Sequence, residues 1–407
     1  MAKVRKRKWQ SGGKAREAWI VDYFDQNRKR HIETFKTKKA ADDRLHEIAQ
    51  EVRAGTHTAA SDSVTVKDAA EDWIARAKLN GREQSTVDQY RQHVDFHIVP
   101  LIGNETLARL TVPGIEAFRD RLLDRASAKR PRDKISRATA KKVLSSLKGI
   151  LREAQRRGKV AQNVAADVRV EMPRRSKRRL EVGRDIPSRE EVKAIIDHTE
   201  GRWRPLIVTA VFSGLRASEL RGLLWEHVNL DRGIITVRQR ADRYGEIGDP
   251  KSESSRRDVP VPEIVVNTLK EWRLQCPRHG KTDDHPGELW LVFPNGAGRI
   301  ESHANIYNRG LAPAQITAGV SIDTGEVDEE GRAIMTPKYA LHALRHFYAS
   351  WLINRKQDGG LELPAKTVQA RLGHSSIQVT SDLYTHLFPV YDDHRQELSD
   401  GAWSLLA

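Results

Sequence analysis

Eight consecutive residues near the middle of the chain, Pro173-Arg-Arg-Ser-Lys-Arg-Arg-Leu180, carry five cations and no apolar period. Cations are almost never buried without partners, so no core can run through this stretch. It reads as an extended linker, and the residues on either side must build separate cores. The 407 residues are enough for two or three domains. The pattern divides the chain into 1–60, 63–172, the linker 173–186, a large unit 187–393 and a tail 394–407. The expected class is multidomain α+β, mainly helical with small β-sheets.

Residues 1–60 read as a small sheet packed on one helix. Ala18–Phe24 and Arg30–Phe35 are rich in aromatic and β-branched residues, with a turn between them. Ala40, Ala41, Leu45, Ile48 and Val52 share one face of a helix over 38–53. Gly55–Asp62 reads as a linker. The basic start, Met-Ala-Lys-Val-Arg-Lys-Arg-Lys, lacks the apolar core of a signal peptide and reads as a solvated arm.

Residues 63–172 are expected to be helical, with a break at Pro100–Gly103. A long helix over 137–157 turns Val143, Leu144, Leu147, Ile150 and Leu151 inward. Its outer face carries Lys141, Lys142, Lys148 and Arg152. Such a face is by itself a solvated surface; its density beside the basic 125–137 loop favours a DNA-facing one. Arg174, Arg175, Lys177, Arg178 and Arg179 of the linker are placed to follow a phosphate backbone.

In the large unit, Ser188 and Glu191 form a capping-box pattern ahead of an apolar helix. Another apolar helix covers Pro205–Phe212. Strands over 233–237 and 257–261 bracket a polar hairpin, and helices are expected near 261–274, 338–355, 364–372 and 376–387. The stretch 315–337 reads as an insertion or a loop with short strands.

The chain carries 70 Lys and Arg against 55 Asp and Glu, a formal charge of +15. That balance steers a protein toward a polyanion. Its one cysteine, Cys276, rules out a disulfide within the chain and fits a reducing cytoplasm. Cys276-Pro-Arg-His279, with His285 nearby, lacks the paired ligand spacing of a zinc site, so no metal is expected. No apolar run reaches the roughly 18 residues that span a bilayer, so no membrane partner is expected.

The chemistry-bearing residues cluster late in the chain. Gly214-Leu215-Arg216-Ala-Ser-Glu219 is followed by His342-Ala-Leu-Arg345-His346, then Leu372-Gly373-His374-Ser375, then Tyr384. Cleaving a phosphodiester with a protein nucleophile builds a highly anionic transition state that needs fixed cationic donors. Arginine serves because its fork binds two oxygens and stays charged. Glu219, one helical turn from Arg216, is placed to orient that guanidinium. His342 and Arg345 share a helix face, and His342 is a candidate acceptor for a tyrosine proton or donor to a phosphate oxygen. His374 follows a glycine that exposes it. Tyr384 supplies a nucleophile that a base and cations activate. Taken singly, each of these residues has an ordinary structural reading.

Together, Ser-Gly-Leu-Arg-Ala-Ser-Glu, His-Ala-Leu-Arg-His, Leu-Gly-His-Ser and the later tyrosine resemble the tyrosine recombinases, in particular phage-type integrases. The motifs run in order through the C-terminal domain; residues 1–180 match only in layout, as an arm-binding unit and a helical core-binding domain. The resemblance implies catalytic roles for Arg216, Lys251, His342, Arg345, His374 and the nucleophile Tyr384. Lys251 falls on the hairpin where the family uses a lysine for the leaving 5′ oxygen. Glu219 and His346 are implied as supporting residues. Ala343 stands where the family usually has an aspartate.

The resemblance further implies integration or excision of a phage or mobile-element genome through a 3′-phosphotyrosyl intermediate, without cofactors. It implies a homotetramer on double-stranded DNA with core and arm sites, acting in the cytoplasm of a bacterial host. A DNA-bending host factor and an excisionase or directionality factor are candidate helpers. Two other readings compete: a type IB topoisomerase-like relaxing enzyme, and a catalytically inactive sequence-specific DNA-binding protein. The tail Trp403–Ala407 is apolar and suits docking on a neighbouring subunit or on its own domain equally.

Overall fold

The computed structural model describes residues 3–11, 14–25, 28–55, 57, 59, 63–126, 135–172, 179–250, 252–278, 290–388 and 403–404. The chain divides into two compact units, Met1–Arg175 and Ser176–Ala407. Among the described residues, no helix is long and apolar enough to cross a membrane.

The first unit opens with an antiparallel sheet of β1 (Lys3–Ser11), β2 (Lys14–Phe24) and β3 (Arg30–Phe35), in that order. The basic arm expected to lie in solvent is therefore a strand. Cross-strand neutralisation explains it: Lys6 pairs with Glu17 at 2.9 Å and Arg5 with Asp22 at 3.1 Å, while Val4 packs on the small core. Helix α1 (Lys38–Arg53), capped by Thr37, lays Ala41, Leu45, Ile48 and Val52 on Val21 and Tyr23. Ala40 points outward instead. His57, in the expected linker, is tied back to this core: Nδ1 lies 2.7 Å from Glu51 Oε2 and Nε2 lies 2.9 Å from the Tyr23 hydroxyl.

The rest of the unit is a helical bundle with its own core. Helix α2 (Val66–Leu79) starts at a capping box of Thr65 and Asp68. Helix α3 (Gln84–His93) does not stop at Pro100. A π turn over Val94–Ile98 carries it into α4 (Val99–Ile102), where Pro100 sits in the first turn and needs no N–H partner. Helices α5 (Val112–Ala126) and α6 (Arg137–Arg156) complete the bundle. Gly149 of α6 admits Trp73, since a Cβ there would lie 2.9 Å from the indole.

In the second unit, α7 (Arg189–Asp197) begins at the expected capping box, with Ser188 and Glu191 bonding reciprocally. Helix α8 (Trp203–Ser213) is apolar nearly all round and buried, and α9 (Ala217–Arg221) follows a sharp break. Strands β4 (Val228–Asn229), β5 (Ile234–Val237) and β8 (Arg257–Pro260) form one sheet in the order β4-β5-β8. The ribbon of β6 (Arg240–Ala241) and β7 (Ile247–Gly248) projects between β5 and β8 in sequence. Helix α10 (Glu263–Gln275), short α11 (His303–Asn305) and α12 (Ala312–Thr317) lead to a solvent-exposed ribbon of β9 (Ser321–Val327) and β10 (Ala333–Pro337), which occupies the expected insertion. Helices α13 (Leu341–Ile353), α14 (Ala365–Leu372) and α15 (Ile377–Tyr384) close the unit.

Candidate active site

Arg216 owes its position to Gly214. Helix α8 ends where Gly214 takes φ +60°, and a Cβ there would stand 2.3 Å from the Tyr348 ring. The chain re-enters helix at Arg216, whose backbone N–H donates to Glu219 Oε2 at 2.9 Å. Its guanidinium donates to Glu219 Oε1 at 2.7 Å and to the Gly373 carbonyl at 2.8 Å. Glu219 is 3% exposed and also binds Arg257. Burial works to raise its carboxyl, but the hydrogen bond and charge of Arg257, with the charge of Arg216, hold it below the ordinary range.

Helix α13 carries three of the expected residues. Arg345 is buried, and its guanidinium donates to the carbonyls of Gly214 and Leu372. Burial, helped by the Arg216 charge, pushes it down to about 9, which leaves it cationic at pH 7. The two arginines thus grip successive carbonyls of the Leu372–Gly373 turn, which ends α14 with Gly373 at φ +64°. His342 remains solvent-accessible; partial withdrawal from water, then the charges of Arg345 and Arg216, lowers its imidazole.

His374 lies next in the turn, 8% exposed, with Nδ1 2.9 Å from Thr380 Oγ1. Burial and then Arg345 press it down to about 4, so it is neutral at pH 7. Its ring stacks on Tyr384, with centroids 6.5 Å apart and planes 6° from parallel. Tyr384, at the end of α15, is 1% exposed. Burial pushes its hydroxyl up to about 12, with Arg345 working against the shift.

The imidazole in contact with that hydroxyl is His346, with Nδ1 2.7 Å from Tyr384 Oη. His342, for which proton acceptor and phosphate donor were both open, packs edge-on against His346 at 4.7 Å between centroids. Both histidines lie one turn apart on the same face of α13, so spacing alone does not choose between them. His346 was expected as a supporting residue; Arg257 is one that the sequence reading passed over. The signal was its register: it alternates in phase with buried Val259 on β8.

Arg216, Arg240, Ser252, Ser255, His374 and Ser375 line an open cleft. Fixed cations and the neutral imidazole of His374 at its wall suit an anionic group of phosphodiester size. Lys251 lies outside the described residues, as do Arg174, Arg175, Lys177, Arg178, His279 and His285. Among the described residues no group of acidic, histidine and cysteine side chains is arranged to hold a metal ion. Cys276 is buried near the Leu291 carbonyl. On α6, Lys141, Lys142 and Arg152 are exposed, whereas Lys148 donates to the Ala166 carbonyl at 2.8 Å. Arg179 and Trp403 are exposed.

Residues 188–389 match the model of the phage integrase family. A tyrosine recombinase XerC of Xylella fastidiosa (strain 9a5c) is 30% identical over 257 residues, covering 62% of this chain and 71% of the relative. An integrase of Streptomyces ambofaciens is 27% identical over 387 residues, 91% of this chain and 89% of the relative. Among solved structures, the Tn1549 transposon integrase in complex with transposon right end DNA superposes with a TM-score of 0.60 at 18% identity, over 83% of this chain and 100% of that one.

Proposed function

The chain belongs to the tyrosine recombinase family and is a site-specific recombinase, and on that premise we propose how its residues cut and rejoin DNA. The reading rests on one observation: two guanidiniums clamp successive carbonyls of the turn that presents His374, and His374 stacks on Tyr384. Cationic donors and a buried tyrosine with its own proton acceptor are what a phosphotyrosyl reaction requires. A topoisomerase and an inactive binding protein are not favoured, because the relatives matched over most of the chain are an integrase and a recombinase.

In this proposal the scissile phosphate of double-stranded DNA enters the cleft lined by Arg216 and His374. Arg216, Arg345, His342 and His374 stabilise its nonbridging oxygens. The Tyr384 oxygen attacks phosphorus, the new Oη–P bond forms and the bond from phosphorus to the 5′ oxygen breaks. The phenol proton passes to His346 Nδ1, and Lys251 supplies a proton to the departing 5′ oxygen. The products are a 3′-phosphotyrosyl link and a free 5′ hydroxyl. Attack by the 5′ hydroxyl of a partner strand reverses the steps. Bond energy is kept in the phosphotyrosine, so strand transfer needs no ATP.

The same reading assigns residues 1–60 to arm-type sites and 63–172 to core sites. It expects a homotetramer on two duplexes, integrating or excising a mobile genome, with a host bending protein and an excisionase as candidate helpers. The test is covalent trapping on a nicked attachment-site duplex. Wild type should form a protein–DNA adduct and Tyr384→Phe should form none while binding the duplex normally. Tight specific binding without any wild-type adduct would overturn the enzymatic reading.

A further inference from the structure

The residue that joins most parts of the cleft lies outside the motif set. Arg257 opens β8 and is 8% exposed. Its guanidinium makes four hydrogen bonds, to two distant segments and to the turn just ahead of its own strand. Nη1 and Nη2 grip the two Glu219 oxygens at 3.2 and 2.9 Å. Nε donates to the Arg371 carbonyl in the last turn of α14 at 2.7 Å. Nη1 also donates to the Ser255 carbonyl at 2.9 Å, at the end of the short turn Glu253–Ser255. The fit is close, since a Cβ on Gly373 would stand 2.9 Å from Nη1.

Each of these segments neighbours a reacting group. Glu219 holds Arg216 by both backbone and side chain. Arg371 is three residues ahead of His374, and Ser255 four residues beyond Lys251 in sequence. Four donors in one rigid plane can fix two distant segments and the adjoining turn at once; an ammonium on a flexible stem cannot.

We propose that Arg257 is a positioning residue: anchored on Glu219 and on the last turn of α14, it fixes the hairpin turn that follows Lys251 against the phosphate-binding wall of the cleft, so that the leaving oxygen is protonated as the phosphate is attacked. This rests on the recombinase reading and on the leaving-group role given to Lys251. An ordinary buried ion pair would stabilise the fold and nothing more. A positioning role has a separate signature, because it acts on the step that delivers a proton.

The test compares two nicked core-site duplexes, one with the ordinary 5′ oxygen at the scissile phosphate and one with sulfur in that bridging position. A thiolate leaves without needing a proton. Arg257→Lys should bind both duplexes within about twofold of wild type, and should cleave the oxygen substrate at least about tenfold more slowly. On the sulfur substrate its rate should return to within about threefold of wild type. Lys251→Ala should show the same rescue.

Equal loss on both substrates, or no loss on oxygen, overturns the positioning role. Wild type that forms no adduct on either substrate brings down the recombinase reading instead, and Lys251→Ala without rescue brings down the leaving-group role; the proposal falls with either. Should Arg257→Lys melt below the assay temperature, Arg257→Gln takes its place. If both unfold, the role is structural and the proposal fails.

Discussion

His346 Nδ1 lies 2.7 Å from the Tyr384 hydroxyl, so the candidate nucleophile is within hydrogen-bond reach of an imidazole in the folded chain before any substrate arrives. Burial, then the charges around His342 and Arg345, holds that imidazole down to about 4. It is therefore neutral at pH 7 with a lone pair to offer, while the phenol, pushed up to about 12 by burial, keeps its proton.

Replacing His346 by Ala removes this acceptor. Single-turnover adduct formation on a nicked duplex should slow by about 10²- to 10⁴-fold with little change in DNA affinity, the usual range for a missing general base. The wild-type rate should hold as pH falls from 7 to about 5 and drop only as His346 protonates toward about 4. Wild-type cleavage by His346→Ala would return the proton-acceptor role to His342.

Glu219 is a buried anion between Arg257 and Arg216. Removing one member of such a cluster strands its counter-charges, at about 3–5 kcal/mol. Glu219→Ala should lower the stability read from urea unfolding by that amount, and Glu219→Gln by less because it keeps hydrogen-bonding capacity. A midpoint equal to wild type for Glu219→Ala would show that the arginines find other partners at no cost.

Local chemistry was the legible part of this chain. The Ser188–Glu191 capping box, strands β5 and β8, and the shared face of His342 and Arg345 all rest on short-range periodicity, and the structure has them. The recombinase resemblance carried through to the family. What escaped depends on long-range packing. Whether Lys3–Ser11 is an arm or a strand is decided by its pairing with β2. Whether Pro100 ends a helix depends on a π turn upstream. Burial of Tyr384 and its choice of His346 come from how α15 packs on α13, and the reach of Arg257 spans segments 38 and 114 residues away.

The cations on the outer face of α6 separate into two kinds with different expected effects. Lys141, Lys142 and Arg152 extend into solvent and can face a phosphate backbone. Removing a cation that neutralises one phosphate should lower the slope of log affinity against log salt by about 0.9. Lys148 already serves the Ala166 carbonyl. Lys141→Ala should weaken DNA binding and flatten the salt dependence; Lys148→Ala should leave the slope unchanged and cost about 1 kcal/mol of stability by removing that hydrogen bond. Titrating each variant against duplex DNA at several salt concentrations distinguishes them, and equal slopes for all would remove α6 from the DNA-binding surface.

Acid should destabilise the protein well before its carboxylates protonate. His346 and His374 are both held at about 4 chiefly by burial, against an ordinary value of 6.5. His93, in the first unit, is depressed to about 4 the same way, its Nδ1 facing Ser146 Oγ at 2.8 Å. Between pH 4 and 6.5 the unfolded chain binds more protons than the folded one at these sites, so stability rises with pH across that window and is flat above it. Lowering the pH from 7 to 5 should cost at most roughly 2 kcal/mol per histidine. The measurement is the urea midpoint of DNA-free protein at about pH 5, 6 and 7, with His374→Gln predicted to shrink the difference. A midpoint constant across that range would mean that these imidazoles are as well solvated as in the unfolded chain, and would remove the basis for treating His346 as a neutral base.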